Sequence, residues 1–217
     1  MISCKNKQTI NEIAAHLNTL FPVNDLGYIS IYVGMEIEKN EDGIYTINQN
    51  SYIDKILKRF NLHNAKYSKK PLDTGYYKNE ETTIPLKSNE TYRSAIGSLL
   101  FLAVNSRPDI SVSVSILSRK ICDPTEKDWR EVKRIFKYLN GTKDLKLTLG
   151  NGPDQEHLIQ GYVDADWGGD RLDRKSNTGY IFFYKGSPIS WKSKKQDCVS
   201  LSSTKAELVA LSEACQI

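Results

Sequence analysis

The sequence predicts a mixed α+β chain, and three observations carry that prediction. Apolar residues alternate with polar ones in two separate regions, near residues 28–49 and again from about residue 144. Between them, apolar residues recur at spacings of three and four. Turn-forming Asn, Asp, Gly and Pro mark most changes of period.

In chain order, residues 7–21 place Ile10, Ile13, Ala14, Leu17, Leu20 and Phe21 at helical spacing, and Pro22 ends that helix. Ile29, Ile31, Val33, Met35 and Ile37 alternate strictly, which predicts a half-buried strand. Asn40–Gly43 supplies turn chemistry and "IYTINQ" a return strand, so residues 28–49 read as a hairpin. Ser51 is placed to cap a short helix with Tyr52, Ile53, Ile56, Leu57 and Phe60 on one face. Residues 61–90, with Pro71, Gly75 and Pro85, read as a connector.

Residues 91–140 read as helical, broken at Pro108 and again at Asp123–Pro124. Thr125 suits the cap of a helix whose apolar face is Trp129, Val132, Ile135, Phe136 and Leu139, with a stop at Asn140–Gly141. Beyond it, "DLKLTLG" alternates, and residues 150–153 form a turn. "HLIQGYVDADW", "TGYIFFYKG" and "SPISWKSKK" follow as a three-stranded meander, and "LSSTKAELVALSEAC" as a helix. On that helix Ala206, Val209, Ala210 and Leu211 make up much of the apolar side.

Several function classes are disfavoured by composition. No apolar run approaches the roughly 18 residues of a membrane span, mean hydropathy is −0.48, and the opening "MISCKNKQ" lacks the apolar core of a secretory signal. The four cysteines are scattered without a CxxC pair, which argues against a zinc site and for reduced thiols in an intracellular setting. Neither a GxxxxGK[ST] loop nor a GxGxxG after a strand is present. Net charge is only +4, but residues 51–150 carry 19 basic against 11 acidic side chains. Arg130, Lys133, Arg134 and Lys137 recur along one predicted helix. They make either an ordinary solvated face or a phosphate-facing stripe.

Three carboxylates stand out. Asp164 and Asp166 lie two apart at a strand end and share a face, and Glu207 falls in the first turns of the following helix. Oxygen donors of this kind suit Mg²⁺. The plain alternatives are a strand terminator for Asp166 and a capping box, Thr204 to Glu207, for the helix. A calcium loop over "DADWGGDRLDRK" fails at its twelfth position, where Lys175 replaces the bidentate Glu.

Longer motifs add a resemblance. "GYVDADWGGDRLDRKSNTGYIFF", "ISWKSKKQ" and "SLSSTKAELVALSEA" resemble the ribonuclease H domain of copia-type LTR retrotransposon Pol polyproteins. "DLGYISIYVGMEIE", "QNSYIDKILKRFNL", "YRSAIGSLLFLAVNSRPDISVSVSILSR" and "PTEKDWREVKRIFKYLNGT" resemble the C-terminal part of the same elements' reverse transcriptase and its connection. The resemblance covers nearly the whole chain.

It implies a reverse transcriptase palm/thumb tail at 1–75, a helical connection at 76–143 and the first part of a ribonuclease H-like domain at 144–217. The expected fold is thus a thumb/connection region followed by a truncated three-stranded meander plus helix. The implied activity is RNA-directed DNA synthesis with Mg²⁺-dependent hydrolysis of RNA in RNA–DNA hybrids, Mn²⁺ being an alternative ion. Asp164 and Glu207 are implied as catalytic metal ligands, with Asp166 as support only. Lys205 stands where the family usually has Glu, without expected catalytic consequence.

Implied partners are a template–primer duplex or RNA–DNA hybrid, gripped in part by Arg130, Lys133, Arg134 and Lys137, and the remainder of the Pol polyprotein; no membrane is expected. A cytoplasmic virus-like particle or the nucleus is the implied location. The resemblance also implies a paired-Asp polymerase turn and later nuclease carboxylates that these residues do not contain. The expectation is therefore two incomplete active sites and little activity in isolation. The alternative is a non-catalytic nucleic-acid-binding or interaction module derived from a degenerate element.

Overall fold

The computed structural model describes residues 6–24, 27–77, 84–150 and 158–216. Within them the chain is a mixed α/β structure with two antiparallel sheets. The expected turn at 151–153 and the start of its following strand at His157 lie outside the described residues, as does Cys4.

Helix α1 (Lys7–Leu20) is capped by the Asn6 side chain, which accepts from the Gln8 amide, and buries none of its residues. The next alternating stretch is not one strand. A tight turn at Val33–Gly34, with φ of 49° and 74°, splits it into β1 (Ile31–Tyr32) and β2 (Met35–Lys39). Both residues need left-handed backbone, which Gly34 adopts freely and which two-residue hairpin turns demand. Alternation continues through the turn, so period alone did not reveal it. Strand β3 (Tyr45–Asn48) pairs with β2 as expected, and β4 (Leu147–Leu149) then pairs with β3, with Ile47 opposite Leu147.

Helix α2 (Asn50–Arg59) corrects another expectation. Its N-cap is Gln49, not Ser51. The Ser51 amide instead donates to Glu36 of β2 (3.0 Å), and the Asn50 amide to the Asn48 side chain (3.1 Å). The Glu36 carboxylate from the neighbouring strand thus satisfies one orphan donor, the Asn48 side chain another, and the negative charge suits the positive helix end.

Helices α3 (Glu90–Asn105), α4 (Ser111–Ser118) and α5 (Glu126–Gly141) complete a helical body with α2. Its core is a contiguous cluster including Ile53, Leu57, Tyr92, Leu99, Leu117, Phe136 and Leu139. α5 carries the expected cap as a complete capping box between Thr125 and Asp128. The connector lies against α5, where the Asp73 amide donates to Glu131 (2.9 Å) and the Tyr76 hydroxyl to Asp128. Buried Arg107 donates to both carboxylate oxygens of Asp109 and to Thr142, fixing the break between α3 and α4 to the end of α5.

The second sheet is the meander β5 (Ile159–Asp166), β6 (Asn177–Tyr184) and β7 (Ser187–Lys195), in that order. Helix α6 (Ser203–Ala214) packs across it through Ala206, Ala210 and Ala214. Ser202, not Thr204, caps α6 by accepting from the Lys205 amide. The capping-box account of Glu207 therefore fails. Leu211 is exposed rather than packed.

Candidate functional site

The register of the meander decides which way each acid faces. Ala165 pairs with Thr178, which faces α6: Gln196 donates to both the Thr178 hydroxyl and the Ala206 carbonyl. Asp164 pairs with Gly179 and Asp166 with Asn177, one residue out of phase. They therefore project from the opposite face. There they line a cleft of about 220 Å³ with Val112, Ile116 and Arg119 of the α4 region, Tyr77 and Asp170. Burial raises the Tyr77 phenol above its ordinary pKa, consistent with its place in the wall.

Asp164 and Asp166 are thus brought together as expected for a shared strand face. Both are solvent-exposed, and neither carboxylate has an ion pair or hydrogen bond among the described residues. Glu207 is exposed on α6 and does not line the cleft. Among the described residues, no group of three or more His, Cys, Asp or Glu side chains stands together as a metal site requires. Oxygen donors of the right hardness for Mg²⁺ are present, but too few converge to hold it without further groups.

A different acid dominates the loop after β5. Asp170 is buried and accepts from Lys195 Nζ (2.5 Å), Arg119 (3.5 Å) and the Leu172 amide (2.9 Å). Burial pushes its carboxyl up, but Lys195 and Arg119 outweigh burial and hold it below the usual range. Burial likewise pulls the Lys195 ammonium down, yet Asp170 and Asp173 (2.8 Å) keep it above its ordinary value. Arg119 also donates to Asn177 Oδ1 (2.5 Å), whose amide reaches Ser193 (2.9 Å). The segment after β5 is closed by Lys195 and Arg119, not by a calcium ligand set. Gly169 belongs to the same construction, because a Cβ there would stand 1.9 Å from the Asp166 carboxylate.

Sequence reasoning missed Asp170, Arg119, Lys195 and Asn177 as a group. Arg119 lies 51 residues before Asp170, so no local pattern joins them.

The four basic residues of α5 divide by environment. Arg134 is committed to Glu131 (2.8 Å) and Asp73 (3.3 Å). Lys133 lies over the Trp129 ring at 5.8 Å. Lys137 makes no ion pair among the described residues, and Arg130 is exposed. The described residues contain no helix long and apolar enough to cross a membrane.

Residues 1–74 match the reverse transcriptase (RNA-dependent DNA polymerase) family. The chain is 39% identical, over 98% of its own length, to a retrovirus-related Pol polyprotein from transposon TNT 1-94 of Nicotiana tabacum. It is 36% identical, over 88% of its length, to that from transposon RE2 of Arabidopsis thaliana. It spans 16% and 13% of those two polyproteins. A secreted RxLR effector protein of Plasmopara viticola is 42% identical over 59% of this chain, which covers 89% of that protein. No solved structure matches. On these matches, which run through the helical body and the meander alike, the chain belongs to the copia-type retrovirus-related Pol polyproteins of transposons.

Proposed function

We propose that this chain is the joint between the polymerase and nuclease parts of a retrotransposon Pol polyprotein. The whole polyprotein would carry out RNA-directed DNA synthesis with hydrolysis of the RNA strand of the hybrid. The helical body contributes a basic, sequence-independent grip on duplex phosphates through Arg130, Lys133, Arg134 and Lys137, with Lys137 contributing more than Arg134. Asp164 would serve as one carboxylate of a Mg²⁺ site, where Mn²⁺ would substitute. Glu207, expected as its partner, stands on α6 across the sheet from the cleft and would join it only if α6 and the end of β5 were rearranged. The ion, when bound, supplies Lewis-acid stabilisation of a phosphodiester oxygen and an activated water. These 217 residues carry out neither reaction by themselves.

The observation that carries this reading is Asp164 itself. It is an exposed carboxylate without an ion pair among the described residues, inside a regular strand of a meander-plus-helix unit. With the capping-box role removed, Glu207 likewise has no structural task among the described residues.

Binding of an RNA–DNA hybrid across a salt series tests the grip. Affinity falls steeply with salt, and replacing Lys137 with Ala reduces the log–log slope by about 1. A slope near zero for the unaltered chain overturns the nucleic-acid reading.

A second reading, a non-catalytic interaction module, is favoured by one finding. The Plasmopara viticola relative, nearly all of which this chain covers, is named an effector and not a polymerase. Salt-insensitive binding of the hybrid would favour that reading.

A further inference from the structure

The meander meets the helical body along a seam, and the seam is held by specific polar ties. Trp191 Nε1 of β7 donates to the Ala103 carbonyl near the end of α3 (2.7 Å). The Ser187 hydroxyl donates to the Gly150 carbonyl after β4 and accepts from its amide, each at 3.1 Å. Arg119, at the C-terminal end of α4, reaches both the Asp170 loop and Asn177, the first residue of β6.

Of these, the Arg119 tie is nearest to Asp164. Asn177 lies opposite Asp166 in the sheet, and Gly179 lies opposite Asp164. Arg119, Asp164 and Asp166 line the same cleft. The Asp170 loop also holds itself rigid: its amide donates to the Lys175 carbonyl (3.1 Å) and its carbonyl accepts from the Arg174 amide (2.8 Å). A displacement of Arg119 would therefore be passed to the ends of β5 and β6 as a unit.

We propose that Arg119 is a positioning residue, which clamps the Asp170 loop and Asn177 to α4 and so sets where the Asp164 carboxylate stands relative to the helical body. The planar guanidinium suits the task, because one side chain serves two acceptors in different segments. Charge is balanced without it, since Lys195 compensates Asp170 independently. Loss of Arg119 thus removes the tie and leaves no buried charge unpaired, unlike the usual breaking of a buried ion pair.

This proposal gives Asp164 its significance from the proposed function, but its test is independent of nuclease activity. Cys122 and Cys198 are exposed and follow α4 and β7 respectively, one on each side of the seam. In the full chain with Cys4 and Cys215 replaced by Ser, nitroxide labels on this native pair report the seam geometry by pulsed electron resonance.

The expected result is one narrow distance peak for the parent, loss of that single peak in Arg119→Ala, and only partial recovery in Arg119→Lys, whose ammonium lacks the fork that holds both acceptors. Far-ultraviolet dichroism should be unchanged throughout. Should Arg119→Ala fail to fold, Asn177→Ala, which removes one acceptor and keeps the arginine, is expected to broaden the same peak. A peak as narrow as the parent's in Arg119→Ala or, failing that, in Asn177→Ala overturns the clamp.

Discussion

The helical body and the meander solve the same problem with unequal means. In the body, Ile53, Leu57, Tyr92, Leu99, Leu102, Leu117, Phe136 and Leu139 are almost wholly buried in one cluster. Among described residues 158–216, the fully buried apolar side chains are Ala206, Ala210 and Ala214. Meanwhile α6 shows Leu208 at 61% and Leu211 at 51% exposure. The body is held by apolar burial in bulk. The meander leans on strand pairing, buried polar groups such as Gln196 and Asp170, and docking at the seam. Burial scales with side-chain area, so the three alanines offer far less than one Phe or Leu each.

Four substitutions or conditions would break or sharpen this contrast, in falling order of effect. Phe136→Ala should destabilise the chain by about 3–5 kcal/mol in denaturant melts, because the cluster closes around it on all sides. A cost below 1 kcal/mol would mean the body is not a packed core. Acidification should come next. Burial raises the Asp109 carboxyl, but Arg107 and Tyr138 hold it below its ordinary 3.8. A depressed carboxyl contributes stability above its unfolded pKa, and that contribution drains away as pH falls through the folded value. Melting temperature should therefore drop below pH 3.8, and Asp109→Asn should flatten that drop.

Thr125→Ala should cost about 1 kcal/mol by removing one half of the capping box. Equal stability would assign the helix start to the Pro85–Thr125 bridge instead. Leu208→Ser should be nearly silent, within about 0.5 kcal/mol, despite replacing a leucine on a helix. A cost comparable with that of Phe136→Ala would show that α6 has a covered face, and the contrast would collapse.

The legible parts of the sequence were those governed by local periodicity. The meander strands, α5 with its Thr125 cap, and the β2–β3 pairing all follow from spacing within a few residues. What escaped depended on distance. The acceptor for the Ser51 amide at the start of α2 is Glu36, 15 positions earlier, and β4 reaches back about 100 residues to β3. The Val33–Gly34 turn was hidden because apolar alternation runs straight through it. At the candidate site, the shared face of Asp164 and Asp166 followed from strand geometry. Asp170 did not stand out, because its partners Arg119 and Lys195 are assembled only by the fold. Leu211 was placed on the packed side, since periodicity marks an apolar stripe without saying whether anything lies against it.

The central claim is that Asp164 is a metal carboxylate of a nuclease site that these residues alone do not complete. The most direct measurement is Mg²⁺-dependent cleavage of a labelled RNA–DNA hybrid by the 217-residue chain, beside Asp164→Asn and a polypeptide in which the chain is continued by the next segment of a Pol relative. The account predicts no cleavage by the chain, cleavage by the extended polypeptide, and its loss on Asp164→Asn in that context. Robust cutting by the chain that Asp164→Asn abolishes, or cutting by the extended polypeptide that Asp164→Asn leaves intact, would contradict it.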